Sequence, residues 1–181
     1  MVKTLKILPF LLLFVMAMSS KGQQRNARLE NAYFYYQNRN YEAVLRQLET
    51  AEEGYHKHLL EGLSYLQLKR FEQAESSFSK GKDQFPDSLR FDILLAETYF
   101  FTNEYDQALA LYHKIESNLS FKESSSGDIK NLEEHVAFIY QQKGRKAYLD
   151  HDFDKSSRLY QKAYQLNPKE ENMLGLGLCY I

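Results

Sequence analysis

A spaced pattern of small and large residues recurs four times in this chain of 181 residues. Each copy opens with a small residue and has an aromatic residue nine places later and a large apolar residue sixteen places later. The opening residues are Ala32, Gly62, Ala96 and Gly144, and the residues nine places later are Tyr41, Phe71, Tyr105 and Phe153. From Phe71 to Tyr105 the period is 34 residues. A fixed period of this size is typical of stacked supersecondary units rather than of one globular core.

The pattern predicts pairs of antiparallel helices. Steps of three and four residues place Gly62 and Tyr65 on one helical face. Short polar turns, such as Lys69-Arg70, separate the segment that begins with the small residue from the segment led by the aromatic residue. Turns this short make two helices antiparallel neighbours. One such hairpin cannot bury its own apolar face, whereas three or more stacked hairpins bury a continuous core.

These residues resemble the tetratricopeptide repeat family. The likeness rests on the small residue and the aromatic residue three places later, the aromatic residue that opens the second helix, and the closing prolines Pro86 and Pro168. It covers the chain from about Gln24 to the end. Val44 and Ser156 stand where the family usually has Ala, and the chain has no Trp. The resemblance implies an all-α, right-handed solenoid of about four antiparallel helical hairpins plus one further helix.

The expected organisation is a signal peptide at 1–22 followed by the solenoid at 23–181. The repeats are expected at about 25–54, 55–88, 89–118 and 129–170, with a partial fifth repeat at 171–181. The interval from Tyr105 to Phe153 is longer than one period, and a polar, Ser-rich insertion loop at 119–128 is the expected cause. Such a loop is either a binding element or a solvated surface loop, and both interpretations remain open.

The first 22 residues have the layout of a secretory signal peptide. Lys3 and Lys6 form a positive start, a twelve-residue apolar run extends from 7 to 18, and small residues precede a boundary near Gly22. As a helix, twelve residues span about 18 Å, short of the roughly 30 Å hydrocarbon core. Export with cleavage is therefore favoured over an uncleaved inner-membrane anchor. Resemblance to exported proteins of Gram-negative bacteria implies a periplasmic or outer-membrane-associated location.

The composition argues against several classes of function. The formal charge of −1 becomes −4 when the three lysines of the leader are removed, and nucleic-acid binding needs a clustered basic face. The sequence has no phosphate-binding loop, metalloprotease helix or paired-cysteine metal motif. His56 and His58 are two places apart, so their side chains point in different directions on a helix, and both are interpreted as surface histidines. We expect no metal, no cofactor and no enzymatic activity, and no small-molecule substrate is evident.

The expected function is a non-enzymatic interaction scaffold of the cell envelope that binds a protein or peptide. The resemblance implies that the first helices of successive repeats line a concave groove. The groove residues expected on this basis are Tyr33, Tyr36, Leu63, Leu66, Phe100, Phe101 and Tyr148. The alternative that some of these side chains pack against neighbouring hairpins carries equal weight.

A second functional hypothesis treats the chain as the sensor or assembly region of a longer polypeptide. From Met173 to Ile181 no charged side chain occurs, and this segment resembles the first helix of a fifth repeat. A terminal repeat usually needs a polar outer face. We therefore expect further repeats, another domain or a partner surface beyond Ile181.

Overall fold

The computed structural model describes residues 27–118 and 126–180. Nine helices and no strand are found within these ranges. The chain divides between Phe91 and Asp92 into two compact units, Met1–Phe91 and Asp92–Ile181. We call them the amino-terminal unit and the carboxy-terminal unit. The predicted signal peptide lies outside the described residues.

The amino-terminal unit contains four helices and the beginning of a fifth. These are α1 (27–37), α2 (Tyr41–Leu48), α3 (Tyr55–Gln67), α4 (Phe71–Gln84) and the start of α5 (Leu89–Phe101). Helix α3 packs against both α2 and α4. The α1–α2 hairpin buries Ala32, Val44 and Leu48, and Leu60 of α3 joins them in one apolar cluster.

The carboxy-terminal unit contains the rest of α5 and four further helices. These are α6 (Tyr105–Glu116), α7 (Ser126–Leu149), α8 (Phe153–Leu166) and α9 (Glu170–Leu178). Helices α7 and α8 form a hairpin, α6 packs on α7, and α9 packs on α8 and α7. The predicted end of the loop at residue 128 is too late, because α7 already begins at Ser126. Residues 119–125 lie outside the described part of the chain.

Four hairpin turns are closed in the same way. Arg39, Lys69, Asn103 and His151 each have a positive φ, between 57° and 64°. At each turn two backbone amides bond back into the preceding helix, as Lys69 N does to Leu66 O and Arg70 N to Tyr65 O, both at 2.9 Å. These paired bonds define the Schellman motif, which satisfies the last carbonyls of a helix. The turn therefore fixes the direction in which the second helix of each hairpin begins.

Close packing explains why a small residue opens each copy of the pattern. A β-carbon placed on Gly62 would lie 2.3 Å from the ring of Phe78, and one on Gly144 would lie 3.2 Å from the ring of Tyr160. Both rings follow their glycine by sixteen places, on the second helix of the same hairpin. The missing side chain leaves the space that the ring occupies. The spacing in the sequence thus records a contact between two helices.

Two polar residues have roles that their sequence positions do not suggest. Ser156 is fully buried and donates a 2.9 Å hydrogen bond to Gly144 O, which ties α8 to α7. The interpretation of His58 as a surface residue is wrong, because its side chain is only 1% exposed. His58 Nε2 lies 3.2 Å from Glu53 Oε2, and Lys57 Nζ lies 2.6 Å from Glu53 Oε1. Glu53 therefore ties the turn before α3 to the first turn of that helix.

Candidate partner-binding surfaces

The groove residues predicted in the amino-terminal unit are partly core and partly surface. Tyr33 is 37% exposed, and its phenol oxygen lies 2.7 Å from His56 Nδ1. Tyr36 is half-buried, packs on the α1–α2 apolar cluster and meets Tyr41 edge to face, with ring centroids 5.5 Å apart. Leu63 and Leu66 are half-buried as well. Of these four residues, Tyr33 has the most accessible side chain, and the other three contribute at least partly to packing.

The phenols of Tyr33 and Tyr36 have pKa values raised above their ordinary value. Burial is the largest cause that raises the pKa of Tyr33, and the neighbouring Tyr55 adds to it. Burial also raises the pKa of Tyr36, with a further rise from Tyr41 and an opposing effect from Arg90. Both side chains therefore remain neutral at physiological pH. They can offer a hydroxyl and an aromatic face to a partner, but no charge.

An aromatic cluster in the carboxy-terminal unit contains one packed ring, Phe100, and two exposed rings, Phe101 and Phe138. The ring of Phe100 stacks on His135 with centroids 4.2 Å apart and an angle of 17° between their planes. It meets Phe138 edge to face at 5.5 Å and Phe101 at 5.7 Å. Phe101 is 53% exposed and Phe138 is 42% exposed. We call Phe101 and Phe138, together with the supporting Phe100, the aromatic surface.

The two adjacent rings of the aromatic surface, Phe100 and Phe101, differ in exposure. Phe100 packs against α7 through His135 and Phe138, so it serves chiefly as a support. Phe101 keeps about half of its surface accessible, as a groove residue would. Tyr148 is half-buried and meets the exposed Phe153 edge to face at 5.4 Å. The structure therefore brings Phe100 and Phe101 together in one cluster and places Tyr148 in a separate contact with α8.

Sequence reasoning missed Phe138. The predicted groove positions of α7 began after Gly144, although the helix runs from Ser126. Phe138 precedes Arg145 by seven places, an interval that returns to the same helical face. The signal was therefore present in the sequence. It was overlooked because the long helix extends well before the small residue that marks the repeat.

His135 is held neutral over most of the physiological range. Burial lowers its pKa below the ordinary value of 6.5, and nearby Glu134 opposes this effect. Its Nδ1 lies 3.0 Å from the phenol oxygen of Tyr112, which is itself buried. The imidazole therefore connects α6 to α7 while it supports the ring of Phe100. This contact gives the aromatic surface a rigid base.

The last described helix also exposes apolar side chains. Met173, Leu174 and Leu178 of α9 are each more than half exposed. Within 27–118 and 126–180, no helix is long and apolar enough to cross a membrane. The same ranges hold no group of three His, Cys, Asp or Glu side chains placed to bind a metal ion.

The chain is similar in structure to proteins of known structure. The crystal structure of MamA matches with 15% identity over 88% of this chain and 82% of that chain, at a TM-score of 0.61. The MamA AMB-1 structure matches with 16% identity over 87% of each chain, at 0.59. A tetratricopeptide repeat protein from Parabacteroides merdae is more remote, with 18% identity over 87% of this chain and 58% of that chain at 0.44, and it adds nothing to the argument.

Comparison of the sequence alone identifies no related protein or family. No family model matches the chain, and the search of curated proteins gives no match. The MamA likenesses lie at such low identity that they establish the fold alone. Together with the repeated hairpins described above, they confirm the prediction that this chain has the all-α fold of the tetratricopeptide repeat.

Proposed function

We propose that this protein is a non-enzymatic interaction scaffold that binds a protein or peptide through the aromatic surface of its carboxy-terminal unit. The observation that carries the proposal is the pair of exposed rings, Phe101 and Phe138, that flank the packed ring of Phe100. Repeat folds of stacked hairpins commonly serve as binding platforms. Exposed apolar patches on soluble proteins commonly mark interaction sites.

Two features suit the aromatic surface to binding rather than to simple exposure. Aromatic side chains provide much of the binding energy at protein interfaces because they bury a large area with little loss of conformational freedom. Phe100 is already fixed by its stack on His135, so little ordering is required when a partner covers the neighbouring rings. In the amino-terminal unit, the residues expected to contact a partner are Tyr33, Tyr36, Leu63 and Leu66, with Tyr33 the most accessible.

The proposed location is the cell envelope. It rests on the amino-terminal sequence, which has the charge, apolar run and small residues of a signal peptide. Amino-terminal sequencing of the protein from fractionated cells is the test. A mature chain beginning near Gly22 supports export. A chain that keeps Met1 and extracts with membranes contradicts it.

The binding proposal is tested by identifying the partner and then removing single rings. Affinity capture from envelope extract, followed by mass spectrometry, supplies the partner for calorimetry. Phe101→Ala and Phe138→Ala should each weaken binding by about 30-fold, the equivalent of about 2 kcal/mol for an interface anchor. Phe34→Ala is the matched control, since Phe34 is 61% exposed and lies in the other unit.

The outcomes separate a binding role from a packing role. Weaker binding with an unchanged melting temperature supports the aromatic surface as the contact. If Phe101→Ala and Phe138→Ala bind as tightly as Phe34→Ala, the partner contacts another part of the molecule. A fall in melting temperature that accounts for the lost binding shows that the two rings belong to the core.

A further inference from the structure

A charged cleft lies between α2 and α3 in the amino-terminal unit. Its volume is about 230 Å³, smaller than the pockets that usually hold a whole small-molecule ligand. The polar and charged side chains that line it are Glu42, Arg46, Glu49, Glu61, Tyr65 and Arg70. None of them belongs to the aromatic surface or to the predicted groove. A cleft of this size suits a single side chain of a partner.

One of the two cations of the cleft is already neutralised within the protein. Arg70 Nη2 lies 2.7 Å from Glu42 Oε1. The side chains of Arg46 and Glu49 form no ion pair or hydrogen bond with any residue in the described ranges. Two carboxylates, Glu49 and Glu61, therefore remain against one guanidinium, Arg46. The cleft keeps an excess of one negative charge after its internal pair is taken into account.

Glu61 is the best-positioned of the remaining carboxylates. It accepts a 3.2 Å hydrogen bond from the hydroxyl of Ser77, which is itself only 4% exposed. This contact from α4 orients the carboxylate before any ligand arrives. Preorganised acceptors bind a cation at a lower entropic cost than a mobile surface carboxylate does.

The ring of Tyr65 provides a neutral wall beside these carboxylates. Burial raises the pKa of the Tyr65 phenol most, Glu61 raises it further, Arg70 lowers it, and Glu42 and Glu49 add smaller rises. The phenol is therefore uncharged at physiological pH. A guanidinium or ammonium group can lie against an aromatic face and gain a cation–π contact.

We propose that this cleft binds a basic side chain, preferably arginine, presented by a protein partner. The guanidinium fits best because it can bond a carboxylate through two N–H groups and stack on a ring at the same time. Glu61 is the primary acceptor, Glu49 adds negative potential and Tyr65 provides the stacking face. The inference rests on the proposed function in one respect, namely that the basic group belongs to a protein.

The test uses NMR on the full-length, ¹⁵N-labelled protein with three small probes. These are N-acetylarginine amide, its uncharged analogue N-acetylcitrulline amide, and the anionic N-acetylaspartate amide. The arginine probe should shift the backbone amides around Glu61 and Tyr65 in a saturable way, with an affinity that falls as salt is added. The other two probes should leave those amides unchanged at equal concentration.

Variants assign the effect to the cleft. Glu61→Gln can still accept the bond from Ser77 but lacks the charge, and it should weaken arginine binding at least 10-fold. Glu49→Gln should weaken it less, and it serves as the second variant if Glu61→Gln lowers the melting temperature. Glu133→Gln is the matched control, because Glu133 is exposed on α7 in the other unit. It should leave the titration unchanged.

Three results overturn the inference. Equal shifts with citrulline show that charge is not recognised, and equal shifts in Glu61→Gln show that the cleft is not the site. Shifts of the same amides by the aspartate probe show that Arg46 and Arg70 form an anion site. The proposed function is judged separately. If Phe101→Ala and Phe138→Ala leave partner binding unchanged while the native protein still binds the arginine probe, the proposed function has failed and the cleft inference stands. If those variants weaken partner binding while the arginine probe gives no saturable shift, the cleft inference has failed and the proposed function stands.

Discussion

Replacing Gly62 with alanine should destabilise the protein, although alanine is the better helix former. A β-carbon at this position of α3 would lie 2.3, 2.5 and 2.7 Å from three ring atoms of Phe78 on α4. Ordinary contact requires 3.4–4 Å, so the two groups must separate by more than 1 Å. Phe78 is completely buried, so its ring can move only by displacing its neighbours.

The magnitude follows from two opposing terms. Overpacking a well-packed core costs about 1–3 kcal/mol, and three contacts this short favour the upper end. Alanine regains about 0.8–1.0 kcal/mol over glycine inside a helix. The expected net loss is therefore about 2 kcal/mol in the free energy of unfolding. For a chain of this length, that loss lowers the melting temperature by roughly 4–8 °C.

The assay is urea and thermal unfolding followed by far-ultraviolet circular dichroism. Gly177→Ala is the matched control, because a β-carbon at Gly177 meets no atom within 4 Å. It should leave stability unchanged or slightly higher. A double-mutant cycle with Phe78→Leu isolates the contact, since the smaller side chain makes room for the new methyl group. The cycle should show a coupling of about 1 kcal/mol or more.

Two results would refute the packing argument. The first is a Gly62→Ala protein that unfolds at the same or a higher urea concentration than the native protein. The second is an equal loss of stability in the Phe78→Leu background, which would show that the ring is not what the methyl group meets.

Two other predictions concern a turn and a titration. Lys69→Gly should raise the free energy of unfolding by about 0.5–1 kcal/mol. The positive φ at Lys69 costs an L-residue roughly 1–2 kcal/mol, which glycine avoids, but the greater conformational entropy of glycine in the unfolded chain cancels about half of this stabilisation. A urea midpoint lower than that of the native protein contradicts this. His135 should titrate with a midpoint below 6.5 by NMR, because burial lowers its pKa. Its contribution to stability is complete above pH 6.5 and is lost as the pH falls from 6.5 through its folded pKa, since the unfolded chain takes up the proton first; a midpoint at or above 6.5 contradicts this.

The sequence predicted the hairpins because their signals are local. The sixteen-residue interval from Gly62 to Phe78 indicated two helices that face one another, and the structure places that ring against the glycine. The polar turns also marked the helix ends correctly, and Asn40 and Asp152 accept amide bonds as amino-terminal caps. What the sequence did not indicate was the left-handed residue in each turn. Such positions usually carry glycine, whereas here they carry Arg, Lys, Asn or His.

Burial at individual positions was harder to predict. The polar character of His58 and its place near a helix start predict a surface position, yet its side chain is buried beside the Glu53 carboxylate. Residues 126–128 were predicted to be loop because Ser and Gly favour loops, yet these residues form the first turn of α7. In both cases packing outweighed the ordinary preference of the residue type.

Periodicity and spacing by themselves predicted the helical hairpins, because the residues that meet within a hairpin, such as Gly62 and Phe78, lie only sixteen places apart in the chain. Only the tertiary structure decided which aromatic residues stay exposed. Phe100 and Phe101 are adjacent and equally apolar, and the sequence gives no reason to separate them. Phe100 is covered because His135 and Phe138, more than thirty places later, pack against its ring, whereas Phe101 remains half exposed. The exposure of a side chain depends on what a distant helix brings to it, and that information is not local.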